Sequence, residues 1–165
     1  MVWDESARKN VVFTEANFTN GSFTIILPEA VDSKYLEKIE DDMPKEIAIS
    51  NKNARTLCIS SIYGFDSSDK RIVSFCYEKE EGNTYAAMNW LYTDSDLTVS
   101  GTITHTEWVS GREYEYTETY SLALKKGWNI VYEITTETRQ SNKYTEKYEN
   151  TSSAVSGLKW VGEKE

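Results

Sequence analysis

The chain is poor in the residues that most site chemistry requires. It holds one His and two Cys in 165 residues. A Cys/His zinc site takes four such ligands, so that metal chemistry is excluded and no metal or cofactor is expected. Two Pro and eight Gly leave few places for irregular backbone. No apolar run approaches the roughly 20 residues of a membrane-spanning helix. Behind Met1 come Asp4, Glu5, Ser6, Arg8 and Lys9, with no apolar core of a signal peptide. Either the protein is cytosolic or a leader is missing from this chain. Cations are scarce too, with 18 Lys and Arg against 27 Asp and Glu and a formal net charge of −9. That argues against a nucleic-acid phosphate backbone or an anionic lipid surface as partner. An acidic surface also serves solubility.

What the chain does have is aromatic and β-branched material. Eleven Tyr and five Trp, together with abundant Thr, favour pleated, half-buried surfaces. The length and a hydrophobic content of 39% fit a single β domain over residues 1–165 with one core. An N-terminal hairpin is expected over 12–27, because Asn20-Gly21 tolerates the positive φ of a tight turn. A 19:22 closure would set Phe18 opposite Phe23 and Ala16 opposite Ile25. Within 31–43, Val31, Tyr35, Leu36, Ile39 and Met43 recur at helical spacing. Asp32 or Ser33 would cap the start and Pro44 stop it, which predicts a short helix from Ser33 to Asp42 packed outside the sheet.

Residues 55–162 read as a meander. Parity tests each turn, since a one-residue slip would swap the two faces of a strand. The loop 65–69 pairs Leu57 with Tyr77, Ile59 with Phe75 and Ser61 with Val73. Gly82-Asn83 pairs Tyr77 with Met88, Phe75 with Trp90 and Val73 with Tyr92. Asp94-Ser95 pairs Tyr92 with Leu97 and Trp90 with Val99, and sets Met88 opposite Gly101. Ser110-Gly111 pairs His105 with Tyr116, Ile103 with Glu118, Gly101 with Tyr120 and Val99 with Leu122. Lys125-Lys126-Gly127 pairs Leu124 with Trp128, Leu122 with Ile130 and Tyr120 with Tyr132. The loop at 140–142 sets Ile134 opposite Tyr148. One face stays apolar throughout, with Trp90 buried between Phe75 and Val99. The other carries Thr98 to Thr106, Glu113 to Ser121, and Glu133, Thr135 and Glu137 towards water. The expected architecture is all-β: an antiparallel up-and-down meander of about eight strands. A barrel of the lipocalin or calycin kind is favoured over a sandwich, because the connections are short hairpins.

Three segments are familiar: Tyr92 to Thr102, Ser121 to Tyr132, and Gly157-Leu158-Lys159-Trp160. With them, most of the chain from Phe23 onward resembles small cell-envelope lipoproteins of Bacteroides-type bacteria. The resemblance implies export to the periplasm or cell surface. It also implies a lipid anchor on an upstream Cys, and functions that are mostly unknown. That Cys and the leader are absent from this chain, the shared segments are structural, and no functional residues carry over.

Candidate chemistry is thin. Asp66 to Asp69 and Asp94 to Asp96 lack the spacing of a calcium loop and read as acidic turns. Asn-x-Ser/Thr triplets at Asn17, Asn20 and Asn150 arise easily in a Thr-rich chain. Glu118 falls on the apolar face near His105, where burial would raise a carboxyl pKa unless the group reaches water or a Tyr hydroxyl. No second carboxylate shares that face in this register. Tyr77, Tyr92, Tyr116, Tyr120, Tyr132, Tyr144 and Tyr148 do share it. They suggest either an aromatic-lined interior for one small apolar or mixed-polarity ligand or a packed Tyr-rich core. The candidate ligand-binding residues are His105, Tyr116, Glu118, Tyr120 and Tyr132. The pocket would open at the Ser110-Gly111 end, because Leu97, Leu124 and Trp128 close the other. The leading reading is a non-enzymatic exported binding module. The alternative is a structural or interaction protein of the cell surface, with a filled core and an unknown partner. An enzyme would need a second titratable group within hydrogen-bond reach of Glu118 or His105. Finally, the 65–69 register sets Cys58 opposite Cys76, at a separation that suits a disulfide, and a disulfide would fit an oxidising compartment.

Overall fold

The computed structural model describes residues 2–4, 9–17, 19–20, 22–39, 43–68 and 70–164. Strand makes up 61% of the chain. Among the described residues there is no α-helix, so none is long and apolar enough to cross a membrane. β1 (Val2–Asp4) and β2 (Lys9–Val11) form an isolated antiparallel pair. The other strands share one curled mixed sheet that makes a half-barrel. They are β3 (Glu37–Lys38), β4 (Ala48–Ile49), β5 (Arg55–Ile59), β6 (Ile62–Phe65), β7 (Arg71–Glu81) and β8 (Thr84–Thr93). They continue with β9 (Leu97–Val109), β10 (Arg112–Leu124), β11 (Gly127–Arg139), β12 (Lys143–Thr151) and β13 (Lys159–Lys164). The main order is β13-β7-β8-β11-β12-β10-β9-β4. The all-β, barrel-like expectation holds. The purely antiparallel meander does not, because β10 and β12 run parallel.

Local turn chemistry survives. Ser110 and Gly111 take φ of 52° and 79°, and the β9–β10 hairpin has the expected pairs His105↔Tyr116, Ile103↔Glu118, Gly101↔Tyr120 and Val99↔Leu122. Tyr77↔Met88 also forms. Thr19 and Ser22 close the N-terminal turn, each N–H donating to the other's carbonyl. No ladder continues to Ala16 and Ile25, and Phe18 lies outside the described residues.

Long-range pairing departs from the meander at two forks. β7 and β8 run together from Glu81↔Thr84 to Tyr77↔Met88 and then part. β5 takes the freed edge of β8 (Leu57↔Tyr92, Ile59↔Trp90) and β6 that of β7 (Ile62↔Phe75), with the change of partner at Ser60-Ser61. β10 and β11 likewise part after the corner at Lys125-Lys126. β12 lies between them, pairing Glu118↔Tyr148 on one side and Thr135↔Tyr148 on the other. The β11–β12 hairpin is thus one residue off the expected Ile134–Tyr148 register. The Asn129 side chain fastens the 125–127 corner, accepting from Lys125 N–H at 2.9 Å and donating to Lys125 C=O at 2.7 Å. β8 and β9 are not neighbours at all. The expected Leu57–Tyr77, Phe75–Trp90, Trp90–Val99 and Leu122–Ile130 pairs are therefore replaced.

The consequence is a division of the apolar side chains between two faces. Val131 and Leu91 cluster with Val99, Leu97, Leu122 and Leu124, although their strands are separated in the sheet. A sheet curled toward this face brings them together, and we call it the inner face. Ile39, Ile47 and Ala54 complete that core. Tyr92, Leu57 and Trp128 point to the outer face and pack under Phe13, Val31, Tyr35 and Leu36. The Trp128 indole N–H donates to Pro28 C=O at 2.8 Å. Trp128 therefore does not help close the inner cavity.

The expected helix is replaced by a 3-10 turn at Ser33–Tyr35, with the Asp32 side chain accepting from Lys34 N–H, followed by β3. Residues 40–42 of the expected span lie outside the described residues. Val31 and Leu36 turn to the outer cluster and Ile39 to the inner one. A segment that must cover both faces crosses the sheet edge, and no single helical stripe does that. Gly101, at φ +144°, lets Ile47 lie on β9, since a Cβ there would meet Ile47 Cδ1 at 3.1 Å.

Cys58 and Cys76 are free. Cys58 stands opposite Leu91 and Cys76 opposite Val161, because β5 pairs with β8 rather than β7. The Cys76 thiol lies 3.3 Å from Ser61 Oγ. Alkylation of unreduced, denatured protein should accordingly label both thiols, as read by intact mass. Face assignment is tested by paired truncations. Leu124→Ala should lower unfolding free energy by about 2–5 kcal/mol. Ile130→Ala, at a side chain 48% exposed, should cost under about 1 kcal/mol in the same denaturant titration. The sequential register, which puts Ile130 on the core face, requires comparable losses.

Candidate functional site

The inner face is apolar at one end only. Near the 93–97 and 124–128 corners it is filled by Leu97, Val99, Leu122 and Leu124. Toward the Ser110-Gly111 and 140–142 turns the same face changes character, because each strand places polar or aromatic residues at its inward positions. β10 contributes Tyr114, Tyr116, Glu118 and Tyr120. Parallel pairing sets these beside Tyr144, Glu146, Tyr148 and Asn150 of β12. β11 adds Glu133 opposite Asn150, and β9 adds His105 opposite Tyr116.

The result is an open trough of about 640 Å³ lined by His105, Tyr116, Glu118, Tyr120, Glu133, Tyr148 and Asn150. Of the sequence candidates, His105, Tyr116, Glu118 and Tyr120 come together here. Tyr132 does not, since its neighbour Glu133 faces inward and the pleat turns Tyr132 to the outer face, opposite Met88. Tyr77 and Tyr92 leave the inner face for the same reason. Glu133, Asn150 and the second carboxylate Glu146 were missed, although Glu146 shares its parity with Tyr144 and Tyr148, which were expected on this face. Their meeting depends on β12 separating β10 from β11. The short connection at 140–142, closed by Gln140 N–H donating to Lys143 C=O at 2.7 Å, sets the β11–β12 register.

The polar groups are partly committed to one another. Tyr120 donates to the Glu118 carboxylate at 3.0 Å, and Tyr148 donates to Glu146. Burial first, then this hydrogen bond and the negative charges of Glu118 and Glu133, push the Tyr120 hydroxyl up to about 12. The hydrogen bond to Glu146, then burial, raises Tyr148. Burial, with Glu107 and Glu146 nearby, raises Tyr116. Glu133, His105, Asn150 and the Tyr116 hydroxyl have no side-chain hydrogen-bond partner among the described residues. Glu118 and Glu133 flank β12, so their Cα atoms are about 10 Å apart across the strands and about 7 Å along them. One cation is already seated on the rim, where Arg139 lies 5.5 Å from the Tyr144 ring centroid and 3.0 Å from Glu137. Aromatic faces and carboxylates together suit a ligand with a flat apolar side and cationic or hydroxyl groups. Among the described residues no three His, Cys, Asp or Glu side chains converge as a metal site.

The Tyr120–Glu118 pair makes a pH prediction. Tyr120 is held protonated in the folded state, while the unfolded phenol ionises near 10. Its contribution to stability is complete below about pH 10 and is lost as pH rises toward 12. Absorbance titration at 295 nm should show several late-ionising phenols, since Tyr85, Tyr116, Tyr144 and Tyr148 are raised as well, and one of them should shift to lower pH in Glu118→Gln. An unchanged curve would mean that Glu118 is not its partner.

No family model, no curated protein and no solved structure matches this chain.

Proposed function

We propose that this protein is a non-enzymatic binding module that takes a small mixed-polarity ligand in the tyrosine–carboxylate trough. The observation that carries the reading is the trough itself. The fold packs one end of the inner face with aliphatic side chains and leaves about 640 Å³ lined by Tyr, Glu, His and Asn at the other. A protein that needed only a filled core would close this end as it closes the first. Pocket sites that bury a ligand combine apolar or aromatic walls with a few unpaired polar groups, and Glu133, His105 and Asn150 supply these.

Two features favour binding over catalysis. Tyr120 is the titratable group within hydrogen-bond reach of Glu118, and a phenol pushed up to about 12 is a poor proton carrier near neutral pH. A further carboxylate, Glu133, is a strand away from that pair and has no side-chain hydrogen-bond partner among the described residues. Export belongs to the same proposal. It rests on the resemblance to envelope lipoproteins, since the free cysteines give no support for an oxidising compartment. The interaction-protein reading has an observation of its own. Trp160, 46% exposed, stacks on Trp90 at 5.9 Å and meets Tyr77 at 5.3 Å, forming an aromatic patch on the outer face.

Native mass spectrometry of protein from its source, with amide NMR titrations of tyramine, glucose and indole, tests the trough. Expected are a bound mass or shifts confined to His105, Tyr116, Glu133 and Tyr148, at least ~10-fold weaker in Tyr148→Ala, as for loss of about 1.4 kcal/mol. Shifts centred on Trp90 and Trp160, or none at all, would overturn the reading.

A further inference from the structure

β9 is the last long strand on one side of the sheet. β10 pairs with it along its whole length. On its other side β4 reaches only Val99 and Ser100. Just beyond, Ser50 N–H donates to Thr98 C=O at 3.0 Å, and Thr98 N–H donates to Ser50 Oγ at 2.8 Å. The even-numbered residues of β9 therefore turn their backbone groups away from β10. Past β4, the N–H and C=O groups of Thr102, Thr104, Thr106 and Trp108 have no partner among the described residues.

Proteins usually blunt such an edge with Lys, Pro, a bulge or a covering loop. From Gly101 to Val109 there is no Pro, no Lys and no Arg, and Glu107 is the one charge. Trp108 is 66% exposed at the far end. The space beside the edge is also shaped. Where the chain leaves β9 at Glu46, a notch of about 430 Å³ opens, bounded by Glu46, Thr102 to His105, Tyr116 and Glu118. It continues the line that β4 occupies two residues earlier.

We propose that Thr102 to Trp108 accepts an extended peptide as an added strand, in line with β4 and hence antiparallel to β9, with basic side chains on its inner face. Main-chain pairing supplies the attachment and alternate side chains the selectivity. Inward side chains of the added strand meet Glu46, Glu107 and Glu118, and no cation lines the notch to oppose them. Outward side chains meet the Thr102–Thr119 and Thr104–Thr117 hydroxyl pairs, each 3.2 Å apart. This site borders the trough at His105, Tyr116 and Glu118 and goes beyond it, because its main donors and acceptors are the backbone groups of the β9 edge.

The probe is an N-acetylated decapeptide alternating Lys and Val, followed by fluorescence anisotropy and by amide exchange of β9. The expected result is saturable binding that slows exchange at Thr102, Thr104, Thr106 and Trp108. Methylation of alternate probe nitrogens, or replacement of its Lys by Glu, should weaken binding at least ~10-fold. Thr104→Pro and Thr106→Pro should do the same, since each removes an outward N–H and leaves the β10 ladder intact. Should either variant fail to fold, the methylated probe decides the question on the unaltered protein. Tyr148→Ala should leave peptide binding unchanged, which separates this site from the trough. Equal binding of methylated and unmethylated probes would overturn the proposal. So would concentration-dependent self-association that protects β9 without any probe, since the edge would then belong to a second copy.

Discussion

Backbone groups freed where paired strands separate must find new partners, and this fold is organised around that requirement. β7 leaves β8 at Tyr77↔Met88, and β10 and β11 separate after the 125–126 corner. Both gaps are filled by chain from elsewhere: β5 lines the β8 side and β6 the β7 side of the first, and β12 alone bridges the second. Because β12 enters parallel to β10, the inward residues of β10 and those of β11 have unlike parity. That reversal puts Glu133 in the trough and Tyr132 outside it. The same reversal leaves both faces partly apolar, so Phe13, Val31, Tyr35 and Leu36 cover one face and Ile39, Ile47 and Ala54 the other.

How much of this was legible follows the range of each interaction. Positive-φ turns are local, and Ser110-Gly111 and Thr19↔Ser22 closed as their residues dictate. The register from Val99↔Leu122 to His105↔Tyr116 was readable for that reason, and with it the grouping of His105, Tyr116, Glu118 and Tyr120. Parity along a strand is also local, but the identity of the neighbouring strand is not. A chain of hairpins that keeps one face apolar at every turn is self-consistent whether or not a strand is later inserted. Leu122 opposite Ile130 satisfied the alternation as well as the true neighbours do. The helix failed for a related reason. Val31, Leu36 and Ile39 are all buried, but by two different clusters, a distribution that helical spacing along one stripe imitates.

The trough inherits its character from the same topology. Tyr and Glu alternate across β10 and β12 because parallel pairing sets Tyr116 beside Glu146 and Glu118 beside Tyr148. Each carboxylate thus has a phenol beside it on the neighbouring strand, while the hydrogen bonds run along the strands, from Tyr120 to Glu118 on β10 and from Tyr148 to Glu146 on β12. These bonds fix the Tyr120 and Tyr148 hydroxyls, and Tyr144 packs against the Tyr114 and Tyr116 rings. Part of the chain's acidity, Glu118, Glu133 and Glu146, thus lies on an inward surface.

The insertion of β12 also orders events in time. During synthesis β10 and β11 are complete before β12 exists. Their own corner already brings Leu124 and Trp128 close, and an apolar register between them is available immediately. That local hairpin is incompatible with the final sheet, and a chain that formed it would have to open it for β12 to enter. The contacts that replace it are no more local than a three-strand unit can make them, and β13 then closes on β7 across some eighty residues. Chains with such non-local pairing fold slowly and expose unpaired edges on the way. For this protein the pairing that its sequence most readily spells is one that the final sheet excludes.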